Sequence, residues 1–203
     1  MEIPQPSAPI RIYADGVYDV FHIGHAKQLE QAKKAFKNVH VIVGVSGQEE
    51  TERLKGKTLM NEYERTEAVR NCKWINEVLC PCPWVISKQF IEDLQIDFVA
   101  HDALPYSSAG SGDIYQEVKD MGKFYETKRT PGVSTSDLIV RIIKNRDIFY
   151  NQLLELGYSR EALNLSLPEF LCLKVRTVLK KVLGCQKRKK KEATTDEKKA
   201  KKN

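Results

Sequence analysis

Residues 10–45 constrain the fold more than any other part of the chain. "IRIYADGVYDV" begins with apolar residues at alternate positions, Ile10, Ile12 and Ala14, as a strand does. "GHAKQLEQAKKAF" then sets Ala26, Leu29, Ala32 and Phe36 on a helical period. "VHVIVGV", residues 39–45, is apolar almost throughout, the pattern of a strand covered on both faces. Together they predict a β-α-β unit, with "HIGH" (residues 22–25) at its first strand-to-helix turn.

The alternation continues. "NEYERTEAVRNCKWI" predicts a helix over 61–75 that opens on Asn61, with Glu64 three residues on as in a capping box. "EVLCP" predicts a short strand, "SKQFIEDLQ" a short helix capped by Ser87, and "IDFVAHD" a strand ending in a His-Asp pair. "DIYQEVKDMG" predicts a helix closed by Gly122, and "KFYETKR" a fifth strand. "STSDLIVRIIKNRDIFY" predicts one long helix, capped by Ser134 or Ser136, with helix continuing to about residue 165. The order is that of an α/β protein: a Rossmann-like doubly wound parallel sheet with a C-terminal helical extension. In such sheets ligands bind at the carboxyl ends of the strands. There stand His22 and His25, then His101 and Asp102, then Arg129 and Thr130. No internal repeat is found.

Charge divides the chain. The net charge is +6, but nine of the 33 Lys/Arg and three of the 27 Asp/Glu lie in residues 186–203, and the rest balances. That end is nearly devoid of apolar residues and reads as a disordered Lys-rich tail, over 185–203. It is suited to solvent, anionic lipid or an import receptor. Residues 1–9 read as a disordered leader without the features of a signal peptide. No run of eighteen apolar residues occurs, so no membrane span is expected. The expected compartment is cytoplasmic, with a nuclear pool or peripheral membrane association as the alternatives. Five cysteines, an odd number, do not suggest a disulfide framework. Cys80-Pro81-Cys82 lacks a second Cys/His pair for zinc, and no metal-ligand set is predicted. Between 166 and 184, Leu167, Phe170, Leu171, Val175, Val178, Leu179, Val182 and Leu183 recur at steps of three and four among lysines, an amphipathic basic helix.

Candidate chemistry gathers in three places. Gly24 admits close approach of a ligand to the backbone, the following helix offers N–H groups suited to an anion, and two imidazoles add donors. Two histidines buried at a turn, or a metal pair, fit the same spacing. In "RTPGVSTSD", Arg129 suits bidentate phosphate contact, Gly132 permits a tight turn, and Ser134, Thr135 and Ser136 supply hydroxyls and N–H groups at a helix start. A plain helix cap accounts for one of those serines. Lys55, beside Gly56, is able to bridge two phosphates, although a loop lysine most often faces solvent.

Taken in order, "RIYADGVYDVFHIGH", "LKGKTLMNEYERTEAV", "PCPWV", "IDFVAHDALPY" and "KRTPGVSTSDLIVRI" resemble the cytidylyltransferase family of HxGH nucleotidyltransferases. Within it, residues 10–165 are most similar to the catalytic domain of the eukaryotic choline-phosphate enzymes. The resemblance implies transfer of CMP from CTP to phosphocholine, giving CDP-choline and pyrophosphate, with Mg²⁺ accompanying CTP. It implies catalytic roles for His22, His25, Lys55 and Arg129. It implies CTP contacts from Gly16, Val17, Tyr18, His25, Lys55, His101, Asp102, Tyr106, Lys128, Arg129, Thr130, Pro131, Gly132, Ser134 and Thr135. Phosphocholine is expected at Asp19, Lys55, Trp84, Asp102, Tyr106 and Tyr115, since a quaternary ammonium is recognised by aromatic faces and a carboxylate. Asp19 has an alternative role as an anchor of the histidine turn, and Trp84 as packing. A homodimer, and an anionic membrane surface met through residues 166–203, are the implied partners; no nucleic acid is expected. Sister activities on phosphoethanolamine or glycerol 3-phosphate, and a catalytically inactive nucleotide-binding protein, remain as alternatives. The chain departs from the family pattern at Ala103, where a second Asp is usual. It also departs at Pro131, which removes a backbone N–H, and at Lys73 and Asn76, in a helix segment associated with the dimer.

Overall fold

A computed structural model of the chain describes residues 8–104 and 113–179. The chain divides after Leu138 into two units, Met1–Leu138 and Ile139–Asn203. The first holds strands β1 (Ile10–Gly16), β2 (Val39–Ser46), β3 (Glu77–Cys82), β4 (Phe98–Asp102) and β5 (Phe124–Thr127). All pair in parallel, in the order β3-β2-β1-β4-β5. This is the doubly wound sheet expected from the alternation. The order reverses between β1 and β4, so their carboxyl ends open a crevice.

The helices of this unit are α1 (Ile23–Lys33), α2 (Gln48–Leu54), α3 (Glu62–Arg70), α4 (Lys88–Asp93) and α5 (Gln116–Asp120). Because alternate residues of a strand face opposite ways, β1 and β2 feed two cores. Ile12, Ala14, Val41 and Val43 join Leu29, Ala32 and Val69 on one face. Tyr13 and Ile42 join Ile91, Val99 and Val118 on the other. Gly44 is needed where the sheet carries Tyr13: a Cβ there would lie 1.9 Å from the Tyr13 hydroxyl.

The cap residues behave as the sequence predicts. Asn61 and Glu64 form a reciprocal capping box on α3, and Ser87 caps α4. Gly122 takes a left-handed φ of 67° just past α5. Four expectations change. Residues 48–54, "QEETERL", form α2, which lacks the apolar period that reveals a helix and holds only Thr51 buried. The helix expected to reach 75 stops at Arg70, because Trp74 and Ile75 turn in to pack on the core. The long helix from 134 is two, α6 (Thr135–Lys144) and α7 (Arg146–Glu155). At Asn145 the side-chain amide donates to the Arg141 carbonyl (2.8 Å) and competes with the helical ladder. Helix does not continue to 165 either, since residues 156–166 are turns and irregular chain.

In the second unit a further helix over 167–179 packs beside α7. Asn151 donates to the Thr177 hydroxyl (2.9 Å), and Leu173 is buried. Leu167, Leu171, Val175, Val178 and Leu179 stay exposed on its other side. Among the described residues no helix is long and apolar enough to cross a membrane. The expected leader up to residue 7, Tyr106, and the tail from 185 onward lie outside the described residues.

Candidate functional site

The turn after β1 is built around its two histidines. His22 is the N-cap of α1, and its Nδ1 accepts the Gly24 backbone N–H (3.1 Å). Three residues on, His25 Nδ1 accepts the His22 backbone N–H (3.3 Å). The pair thus makes a capping box from imidazoles in place of the usual hydroxyl and carboxylate. The rings stack with centroids 3.8 Å apart. Gly24 is required under them, since a Cβ would press on His22 at 2.9 Å and meet Val133 at 3.3 Å. Loss of solvent holds both imidazoles below their ordinary pKa, His25 down to about 4, with the charges of His22 and Lys55 adding to the effect. Both rings are therefore neutral near pH 7. With each Nδ1 accepting, the ring proton sits on Nε2. His22 Nε2 is buried without a hydrogen-bond partner.

Backbone strain precedes the histidines. Tyr18 (φ 55°) and Val20 (φ 48°) both adopt the left-handed region, a rare state for a β-branched residue. Asp19 between them fastens the turn. Its carboxylate accepts the backbone N–H groups of Leu59 (3.0 Å) and Met60 (2.9 Å), and its carbonyl accepts the Thr135 hydroxyl (2.9 Å). The geometry thus fits the anchoring alternative: one residue ties the histidine turn, the loop after Lys55 and the start of α6. Tyr18 lies edge-on to His25, with ring centroids 5.2 Å apart.

A cavity opens at the carboxyl ends of β1 and β4. Gly16, Val17, Lys55, Trp84, His101 and Tyr115 line it, together with Asp15, Ser46, Cys82, Pro83 and Ile114. Lys55 is the C-cap of α2 rather than part of a loop free of structure, with Gly56 in a left-handed conformation (φ 103°) after it. Tyr115 is buried, stacks on His101 (4.5 Å), and donates its hydroxyl to Asp15 Oδ2 (2.9 Å).

Asp15 is the residue sequence reasoning missed. Its Oδ1 is buried and without a hydrogen-bond partner. Burial pushes its carboxyl up, against the opposing pull of His101, the Tyr115 hydroxyl and Lys55. The signal in the sequence was its place at the carboxyl end of a strand, where ligands of such sheets bind. Arg65 was missed as well. It is fully buried on α3 and donates to the Val17 carbonyl (2.7 Å), so a cation stands behind the cavity's Gly16–Val17 edge.

The third segment follows β5. Arg129 pairs through Nε with Asp102 (3.0 Å), which links the turn to the end of β4. Lys128 is pinned to α1 by the Gln31 side chain. Thr130 and Pro131 lead into Gly132, whose φ of 71° turns the chain. Ser134 caps α6 by accepting the Asp137 N–H (3.0 Å), leaving Thr135 for Asp19. The structure thus gathers Gly16, Val17, Lys55, Trp84, His101 and Tyr115 about one cavity. It joins Tyr18, Asp19, His22, His25 and Thr135 in the adjoining turn, and sets Asp102 and Arg129 together beside His101. Among the described residues no three His, Cys, Asp or Glu side chains cluster as a metal site would require.

Known proteins are similar to this chain in sequence over most of its length. Schizosaccharomyces pombe has a probable choline-phosphate cytidylyltransferase 58% identical over 164 residues, covering 81% of this chain and 45% of that protein. Choline-phosphate cytidylyltransferase 2 of Arabidopsis thaliana is 51% identical over 176 residues, 86% of this chain and 58% of that one. Choline-phosphate cytidylyltransferase A of Homo sapiens is 49% identical over 158 residues, 78% and 43%. The chain spans about half the length of the curated relatives it matches. The family model described as cytidylyltransferase-like matches residues 13–141, from within β1 to within α6. That match spans more than half of the chain: the chain belongs to the cytidylyltransferase-like family.

Proposed function

We propose that this chain transfers CMP from CTP to phosphocholine, forming CDP-choline and pyrophosphate. The observation that carries the reading is the cavity between β1 and β4. There Asp15, half-buried with its Oδ1 shielded from solvent, lines the same cavity as the rings of Trp84, Tyr115 and His101, next to a turn of two neutral imidazoles. Aromatic faces and a carboxylate suit a quaternary ammonium, which has no N–H to donate.

A phosphate oxygen of phosphocholine attacks the α-phosphorus of CTP in line; the new P–O bond forms as the bond to the β-phosphate oxygen breaks, and pyrophosphate leaves. The nucleophile is already an anion, so positioning and charge stabilisation account for the catalysis. Nε2–H groups of His22 and His25 donate to the developing charge. Lys55 and Arg129 bring fixed positive charge from two other segments. Mg²⁺ fits as an ion carried on the triphosphate, since it is commonly held by substrate phosphates with one or two carboxylates rather than by an all-protein cage. Dimerisation, and contact of the exposed apolar row on the 167–179 helix with an anionic membrane, belong to the same proposal.

Incubation with CTP, Mg²⁺ and, separately, phosphocholine, phosphoethanolamine or glycerol 3-phosphate tests the reading. CDP-choline and pyrophosphate in equal amounts are expected. Preference for another phosphate shifts the reading to a sister activity, and no product from any refutes it.

A further inference from the structure

We infer that Gln31 is a positioning residue for the turn carrying Arg129; the inference rests on the proposed nucleotidyl transfer. Gln31 sits on α1, two turns past the histidines. Its Oε1 accepts the Lys128 backbone N–H (2.9 Å), and its Nε2 donates to the Lys128 carbonyl (2.9 Å). The same Nε2 donates to the Lys27 carbonyl of its own helix (3.2 Å). Flipping the amide would break the Lys128 bonds, so its orientation is fixed by the network. One side chain thereby does for Lys128 what a neighbouring strand would do, holding both the N–H and the C=O of the residue just before Arg129. The turn itself has no such ladder, because β5 ends at Thr127 and Pro131 lacks an N–H.

The consequence is geometric. α1 carries His25 in its first turn and Gln31 farther along, and Gln28 between them reaches the Ala100 carbonyl of β4 (3.5 Å). The spacing between the imidazoles and the guanidinium is therefore set by this helix together with the Arg129–Asp102 pair, rather than by the loop after β5 alone. Removing the amide leaves Arg129 held by Asp102 and loosens the turn, while the cavity lined by Trp84 and Tyr115 is untouched.

The test is Gln31→Met, of similar length and good helix propensity, in the full chain, with Gln31→Glu as a second variant that keeps only the acceptor. Hydrogen exchange of peptides covering 124–133 is expected to quicken about tenfold in Q31M. The KM for CTP is expected to rise about tenfold while the KM for phosphocholine stays put. Q31E is expected to fall between. In an Arg129→Ala background Q31M is expected to add nothing further to the CTP effect. Unchanged exchange in 124–133, an unchanged KM for CTP, or the same loss with Arg129 absent overturns the inference. A wild-type chain that binds no CTP overturns the functional reading together with the inference, and is recognised in the unmutated protein alone.

Discussion

Asp19→Asn separates an anchor from a ligand group. In the structure both carboxylate oxygens of Asp19 accept backbone N–H groups, from Leu59 and Met60. Asparagine retains one acceptor and turns its amide nitrogen toward the other N–H. One charge-assisted bond is lost and a donor faces a donor, a cost of about 2 kcal/mol. For a unit of this size that is roughly 5–10 °C in Tm. The histidine turn, the loop after Lys55 and α6 are all tied through this residue, so kcat/KM should fall to a similar degree whichever substrate is varied. Thermal unfolding followed by circular dichroism, with kinetics varying CTP and phosphocholine in turn, reads both effects. An unchanged Tm together with a rise in the KM for phosphocholine alone would refute the anchoring argument and restore Asp19 as a contact of the choline phosphate.

Two further outcomes are expected. The depressed pKa of His25 means the unfolded chain binds a proton there before the folded chain does, so stability falls as pH drops from about 6.5 toward about 4. Between pH 7.5 and 5 this amounts to about 2 kcal/mol; urea unfolding should show a shallower pH dependence in His25→Asn, and identical slopes contradict the assignment. Gly44→Ala forces a Cβ onto the Tyr13 hydroxyl and should leave little soluble folded protein, whereas G44A with Tyr13→Phe should recover part of the loss. An alanine tolerated without that second change would mean the sheet yields more readily than its packing implies.

How much was legible in the sequence depended on whether a residue's role is local. Asn61, Ser87 and Gly122 act within one turn of chain and announced themselves. The strands showed because sheet burial demands continuous or alternating apolar runs, and "HIGH" showed because histidines are scarce here. Asp15, Arg65 and Gln31 were invisible for a common reason: each is ordinary by type and place, and acquires its meaning from a partner far along the chain, Tyr115, Val17 and Lys128 respectively. α2 was hidden by its polar surface, and the break at Asn145 by an unbroken amphipathic pattern across it.

Capping α1 with imidazoles has a practical outcome. The Nδ1 atoms that start the helix and the Nε2 atoms offered to a ligand belong to the same rings, so truncation to alanine removes both at once and its effect has no unique interpretation. Asparagine places an oxygen near Nδ1 and glutamine a nitrogen near Nε2. Exchanging each histidine for one and then the other divides the fold's use of these rings from the use made of them by a bound molecule.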